Sequence, residues 1–115
     1  MLDEHIPYAV LRGLRRIAPE IQVFRVGEAE APPLHTSDPD LLAWIEANGC
    51  LLVTNNRASM PGHLRDHLTA GQHIPGIFIV PRRLALGSVI DQLHLIWLAS
   101  LPSEYQDRIV YLSIS

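Results

Sequence analysis

Two short runs of consecutive apolar residues constrain the fold of this chain more than any other feature. Residues 50–54 (Cys-Leu-Leu-Val-Thr) and 77–80 (Ile-Phe-Ile-Val) show no alternation between apolar and polar side chains. Such runs are typical of parallel strands that helices cover on both faces. We therefore predict an α/β fold, a three-layer α/β/α sandwich around a mainly parallel central sheet of four to five strands.

Helical periodicity and turn residues place the other elements around these two runs. Proline after Asp38 and glycine after Asn48 mark the two ends of one helix. Ser88 and Asp91 have the spacing of a capping box and predict the start of a long, late helix. The predicted helices are 7–17, 38–48, 61–70 and 88–101, and the predicted strands are 21–26, 50–54, 77–80 and 109–114.

Size, charge and cysteine content narrow the class of protein. The chain has 115 residues, which suits one domain (1–115), and its single cysteine excludes an internal disulfide. Its net charge of −3 gives the molecule as a whole no attraction for nucleic acid. No apolar run approaches the roughly 18 residues that a membrane span requires, and the acidic opening lacks the features of a signal peptide. We expect a cytoplasmic protein that does not enter a membrane.

Polar residues at the ends of the predicted strands are the candidates for function. Ligands of open parallel sheets bind beyond the carboxyl ends of the strands. Two such ends are 54–57 (Thr-Asn-Asn-Arg) and 81–83 (Pro-Arg-Arg), and Asp3 marks a third if a first strand precedes it. Only Met1 and Leu2 stand before Asp3, whereas a strand usually has about five residues. Either this strand is a stub, or the true start codon lies upstream of Met1.

Three segments together resemble a known protein family. They are 2–7 (Leu-Asp-Glu-His-Ile-Pro), which precedes an arginine-rich helix, 37–44 (Ser-Asp-Pro-Asp-Leu-Leu-Ala-Trp) and 51–57 (Leu-Leu-Val-Thr-Asn-Asn-Arg). Over nearly its whole length, the chain resembles the small PIN-like domains that act as toxins in bacterial toxin–antitoxin pairs. The resemblance implies a ribonuclease that depends on Mg²⁺ or Mn²⁺, acts on RNA and has a cognate antitoxin as its partner.

The same resemblance assigns metal ligands and catalytic residues by position. Asp3 would be the first ligand and Asp38 or Asp40 the second, while the third acidic position falls on Asn56 and the fourth on Ala58. Mg²⁺ depends on carboxylates for its affinity, so Asn56 would assist without supplying charge and Ala58 would supply nothing. The resemblance therefore leaves two functions open: a ribonuclease with a weakened metal site, or a non-catalytic PIN-like module that binds RNA or protein.

Each acidic candidate also has a purely structural explanation. A carboxylate at Asp3 would favour the positive end of the first helix. Asp38, which precedes a proline, suits a helix N-cap, and Asp40 would then lie in the first turn. Asn56 beside Asn55 suits a turn.

Arginine and histidine side chains complete the candidates. Arg57, Arg82 and Arg83 follow buried strands, where a substrate phosphate would lie, and arginine binds phosphate through two parallel N–H groups. A solvated loop explains Arg82 and Arg83 equally well. His63 and His67 are one helical turn apart, a spacing that zinc can use, although a surface helix with scattered histidines explains them too.

The last predicted helix, 88–101, carries more apolar surface than one face of a sheet would bury. Its apolar residues are Val89, Ile90, Leu93, Leu95, Ile96, Trp97, Leu98 and Leu101. Excess apolar surface often marks an interface, so we predict a homodimer or an antitoxin contact through this helix. A flavodoxin-like regulatory domain is disfavoured, because the chain has no glycine-rich phosphate loop.

Overall fold

The structure, a computed structural model, describes residues 1–99 and 102–113. Within these ranges the fold is mixed α/β, with four α-helices and a sheet of three parallel strands. The helices are α1 (Tyr8–Ile17), α2 (Asp38–Asn48), α3 (Met60–Thr69) and α4 (Leu86–Ala99), and the strands are β1 (Leu52–Thr54), β2 (Ile77–Ile79) and β3 (Ile109–Tyr111). A 3-10 turn, Pro102–Tyr105, precedes β3.

The strands lie side by side in their chain order, β1-β2-β3. In the register of the sheet, Val53 of β1 lies beside Phe78 of β2, and Phe78 lies beside Val110 of β3. All three strands run parallel, so their carboxyl ends meet at one edge of the sheet. Leu2 extends the sheet beyond β1, since it forms isolated parallel bridges to Val53 on one side and to Arg25 on the other.

The strand predicted over 21–26 is wrong. Only Arg25 pairs, through backbone hydrogen bonds from Leu2 N to Phe24 O (2.8 Å) and from Val26 N to Leu2 O (3.0 Å). In this parallel register Phe24 lies beside Met1, so residues 21–23 have no neighbour to pair with. The described ranges thus hold three strands, where the sequence predicted four to five.

Alternate strand residues point into two separate apolar clusters, one on each face of the sheet. Leu52, Ile77 and Ile79 belong to the cluster that includes α2 and α3. Val53 and Phe78 belong to the cluster that includes α1 and α4. The helices pack together in the same pairs. This double coverage explains why the strand sequences contain no polar alternation.

The helices confirm four predicted segments but correct two of their caps. Ser37, not Asp38, is the N-cap of α2: its side chain accepts a hydrogen bond from Asp40 N at 3.4 Å, and Asp38 is already helical. The capping box of Ser88 and Asp91 is also wrong, because α4 begins at Leu86 and both residues lie inside it. The predicted ends at residues 101 and 114 lie outside the described residues.

Two histidine–carboxylate pairs connect helices and turns at the amino ends of the strands, the end of the sheet opposite their carboxyl ends. Buried His67 of α3 contacts Glu46 of α2 at 2.8 Å, and His73 contacts Asp107 at 2.7 Å. Burial raises the pKa of Asp107, but hydrogen bonds from Ile74 N and His73 outweigh it, so the pKa lies below its usual value. These contacts join α2, α3 and the turns that lead into β2 and β3.

Gly76, which precedes β2, lies very close to the backbone of Tyr105, and this contact gives a test of the packing. Gly76 has φ +155°, and a Cβ there would lie 2.9 Å from the backbone oxygen of Tyr105. We expect Gly76→Ala to lower the free energy of unfolding by at least about 2 kcal/mol, measured by urea denaturation. Gly87→Ala is the matched control: it lies in α4 with open space around it, so it should stabilise by about 0.5 kcal/mol. Equal stability of the two variants would contradict the packing.

Candidate functional site at the carboxyl ends of the strands

A cleft of about 470 Å³ opens at the edge where the strand carboxyl ends meet. Its lining consists of residues 3–5, 36–38, 55–58 and Arg82. The structure therefore brings together five of the seven predicted site residues: Asp3, Asp38, Asn56, Arg57 and Arg82. The other two do not line the cleft. Asp40 is exposed in the first turn of α2, and Arg83 is exposed after β2.

Asp3 is buried at the floor of the cleft and is only 5% exposed. Its Oδ2 accepts a hydrogen bond from Thr54 Oγ1 at 2.8 Å, and its Oδ1 accepts one from Glu4 N at 2.7 Å. The backbone of Asp3 also pairs with β1, through a hydrogen bond from its N–H to Val53 O at 2.9 Å. The carboxylate is thus fixed by the sheet, and no side chain caps α1 at Pro7.

Thr54 is a member of the site that the search for charged candidates missed. Its hydroxyl is completely buried at the end of β1, where it donates to Asp3 and accepts from Asn56 N at 3.1 Å. The signal for it was available, because a threonine ends an otherwise apolar run at the functional edge of the sheet. Thr54 therefore connects the first candidate carboxylate to the loop after β1.

Asn56 is oriented by the start of α3. Its Oδ1 accepts a hydrogen bond from Ser59 N at 3.3 Å, and this contact distinguishes the amide oxygen from the amide nitrogen. Nδ2 then donates to Asp38 Oδ2 and to Ser59 Oγ, both at 2.7 Å. Asn56 thus presents a hydrogen-bond donor to the second carboxylate, in the position where an acidic residue would present another negative charge.

His63 also lies beside Asp38, a contact that the sequence did not predict. Its Nε2 is 3.6 Å from Asp38 Oδ2, at the start of α3. His67, one turn later, contacts Glu46 instead, so the two histidines have different partners. Among the residues that the structure describes, no three histidine, cysteine or acidic side chains are grouped as a metal site would need.

The donor set fits a divalent metal poorly. Asp3 uses both of its oxygens in hydrogen bonds, and Asp38 is engaged by the amide of Asn56. Ala58 lines the cleft without any donor atom. Mg²⁺ can be held by one or two carboxylates when substrate phosphates complete its shell. Asp3 and Asp38 would supply that minimum and no more, because the amide of Asn56 contacts only Oδ2 of Asp38 and each hydrogen-bonded oxygen keeps a second lone pair.

The cationic side chains at the cleft are exposed and uncommitted. Arg57 and Arg82 are both exposed, and neither guanidinium forms an ion pair or hydrogen bond with another side chain in 1–99 or 102–113. Glu4, by contrast, is engaged: its carboxylate accepts a hydrogen bond from His35 N at 2.9 Å. The cleft therefore combines hydrogen-bonded carboxylates with two arginines that are available to an anion.

Comparison with known proteins finds no similar protein. The chain matches no family model, no curated protein and no solved structure. The resemblance to PIN-like domains therefore depends on the residues quoted above.

Removal of the Thr54 hydroxyl tests whether its hydrogen bonds to Asp3 and Asn56 stabilise the protein. Thr54→Val keeps the shape of the side chain but leaves Asp3 buried with one hydrogen bond fewer and Asn56 N without its acceptor. We expect the free energy of unfolding to fall by about 1–3 kcal/mol in urea denaturation. Thr69→Val is the control, because Thr69 is exposed and bonds only within its own helix, to Arg65 O. A loss no larger than that of the control would contradict a structural role for the Thr54–Asp3 contact.

Proposed function

We propose that this protein is a PIN-like module that binds single-stranded RNA in the cytoplasm through the cleft at the strand ends. The observation that carries the proposal is the hydrogen bond of 2.7 Å from Asn56 Nδ2 to Asp38 Oδ2. An amide donor satisfies Asp38 in the way that a cation would in a metal-dependent nuclease. A cleft arranged in this way binds phosphate through arginine and has little affinity for a catalytic metal.

The arrangement of the sheet supports the PIN-like fold in this proposal. If Arg25 and Leu2 count as reduced strands, the sheet has five positions in the order Arg25, Leu2, β1, β2 and β3. All of these pairings are parallel. That order, with helices on both faces, is compatible with the four- to five-stranded sandwich that the resemblance implies.

Local charge supports RNA as the ligand despite a net charge of −3. The carboxylates of Asp3 and Asp38 accept hydrogen bonds within the cleft, while Arg57 and Arg82 are exposed at its rim. Arginine can bind a phosphate through two N–H groups at once, and such contacts are sequence-independent. Binding through a few arginines depends strongly on salt concentration.

A second function, an Mg²⁺- or Mn²⁺-dependent ribonuclease of the toxin class, is favoured by one observation. Asp3 and Asp38 line the same cleft, together with an arginine that could hold a substrate phosphate. In that case Asp3 and Asp38 would hold the metal, which would activate a water molecule and stabilise the charge at phosphorus. Asp40 does not line the cleft, so it would not be a metal ligand of this ribonuclease.

Binding and cleavage assays on the same variants separate the two functions. We expect the wild type to bind a fluorescently labelled single-stranded RNA in the presence of EDTA, by fluorescence anisotropy, and to leave it uncut when Mn²⁺ is added. Arg82→Gln should weaken binding and reduce the slope of log affinity against log salt by about 0.7, because one phosphate contact is lost. Arg65→Gln, an exposed arginine of α3 outside the cleft, should change neither.

Cleavage by the wild type with Mn²⁺, abolished in Asp3→Ala and in Asp38→Asn, would establish the ribonuclease instead. Asn56→Asp distinguishes a reduced site from an unrelated one: a new carboxylate beside Asp38 should raise Mn²⁺ affinity in calorimetry. If the wild type binds no RNA and neither protein binds Mn²⁺, both functions are wrong.

The exposed apolar surface of α4 supports a protein partner. Leu95 and Leu98 are each about 60% exposed, and Trp97 is 45% exposed. No helix in the described parts of the chain is long and apolar enough to cross a membrane. We propose that these three side chains form the contact of a homodimer or of a cognate antitoxin, because such apolar groups on one helix favour association.

Light scattering at tens of micromolar tests the homodimer. We expect the wild type to have the mass of a dimer, and Leu95→Gln with Leu98→Gln to have the mass of a monomer with unchanged circular dichroism. The control is Leu86→Gln, an exposed leucine at the start of the same helix. A monomeric wild type would overturn the homodimer and leave the antitoxin as the partner to test.

A further inference from the structure

Tyr8 is an exposed aromatic residue that lies beside two arginines. It is 46% exposed at the first position of α1 and belongs to neither apolar cluster. The guanidinium carbon of Arg12 lies 5.5 Å from the ring centroid, and that of Arg25 lies 5.2 Å from it.

Arg25 connects this ring to the cleft. Its Nη2 donates to Glu4 O at 3.0 Å and to Ile6 O at 3.3 Å, in the segment that leads from the cleft into α1. Glu4 and His5 line the cleft, and Tyr8 follows them by only a few residues. The guanidinium that contacts the cleft segment is therefore the one that lies over the Tyr8 ring.

The positive charge near Tyr8 is not neutralised by acidic neighbours. Arg25 makes hydrogen bonds only to backbone oxygens, and its buried Nε has no partner in the described structure. Arg12 is exposed and forms no ion pair within that part of the chain. Glu28 forms an ion pair with Arg15 instead, with 3.0 Å between Arg15 Nη2 and Glu28 Oε1. The patch is thus both aromatic and cationic.

From this geometry we infer that Tyr8, with Arg12 and Arg25, forms a base-stacking platform for single-stranded RNA whose phosphates lie in the adjacent cleft. The inference rests on the proposed function and adds the feature that distinguishes RNA from a simple anion. A base offers a π-face to an aromatic ring or a guanidinium plane, and neighbouring arginines attract the backbone. The positive charge of the two arginines favours a polyanion.

The test compares two ligands on the full chain. One is a labelled oligoadenylate and the other is an abasic oligonucleotide of the same length, which keeps the phosphates but lacks bases. We expect the wild type to bind the oligoadenylate more tightly, and Tyr8→Ala to lose at least about fivefold in that affinity while its abasic affinity is unchanged. Tyr8→Phe retains the ring and should bind as the wild type does.

Tyr111→Ala is the matched control, because Tyr111 is 53% exposed on β3 and does not line the cleft. It should leave both affinities unchanged, and circular dichroism should show that all variants are folded. Equal oligoadenylate binding by Tyr8→Ala and the wild type would overturn the platform but leave RNA binding by the cleft intact. If the wild type binds neither ligand, the proposed function and the platform are both wrong, and a protein partner becomes the explanation of the patch.

Discussion

The buried hydrogen bond from Thr54 Oγ1 to Asp3 Oδ2 is the contact on which the cleft depends. It joins Asp3, which follows the Leu2 bridge, to Thr54 at the end of the neighbouring strand β1. A buried carboxylate costs free energy unless donors surround it, and here a hydroxyl and a backbone N–H supply them. The polar residues of the cleft therefore form hydrogen bonds with one another.

The same principle explains the second carboxylate. Asp38 begins α2 on one side of the cleft, and Asn56 follows β1 on the other. Two carboxylates at these positions would repel each other unless a cation lay between them. An amide whose nitrogen faces Asp38 avoids this repulsion and gives the carboxylate a hydrogen-bond donor. In the proposed function, the groups that contact a ligand are Arg57 and Arg82 at the cleft and Tyr8 with its two arginines at the start of α1.

Much of the fold could be predicted from the sequence, because its signals are local. The bounds of α2 were predicted accurately, since a proline near its start and Gly49 after its end act on the backbone itself. The two apolar runs correctly predicted β1 and β2. The strand over 21–26 is not formed because pairing needs a neighbour, and in the parallel register of Leu2 with Arg25 residues 21–23 have none.

The candidate site was predicted only in part, for a related reason. Strand ends identified Asp3 and Arg82, because parallel strands bring their carboxyl ends to one edge. The resemblance to PIN-like domains, and not a strand end, identified Asp38. The sequence alone thus determined the four helices, the strands β1 to β3 and the edge of the sheet that carries the polar residues. Only the tertiary structure decided which atom of Asn56 faces Asp38 and that Arg25 reaches Tyr8, since both depend on contacts between segments far apart in the chain.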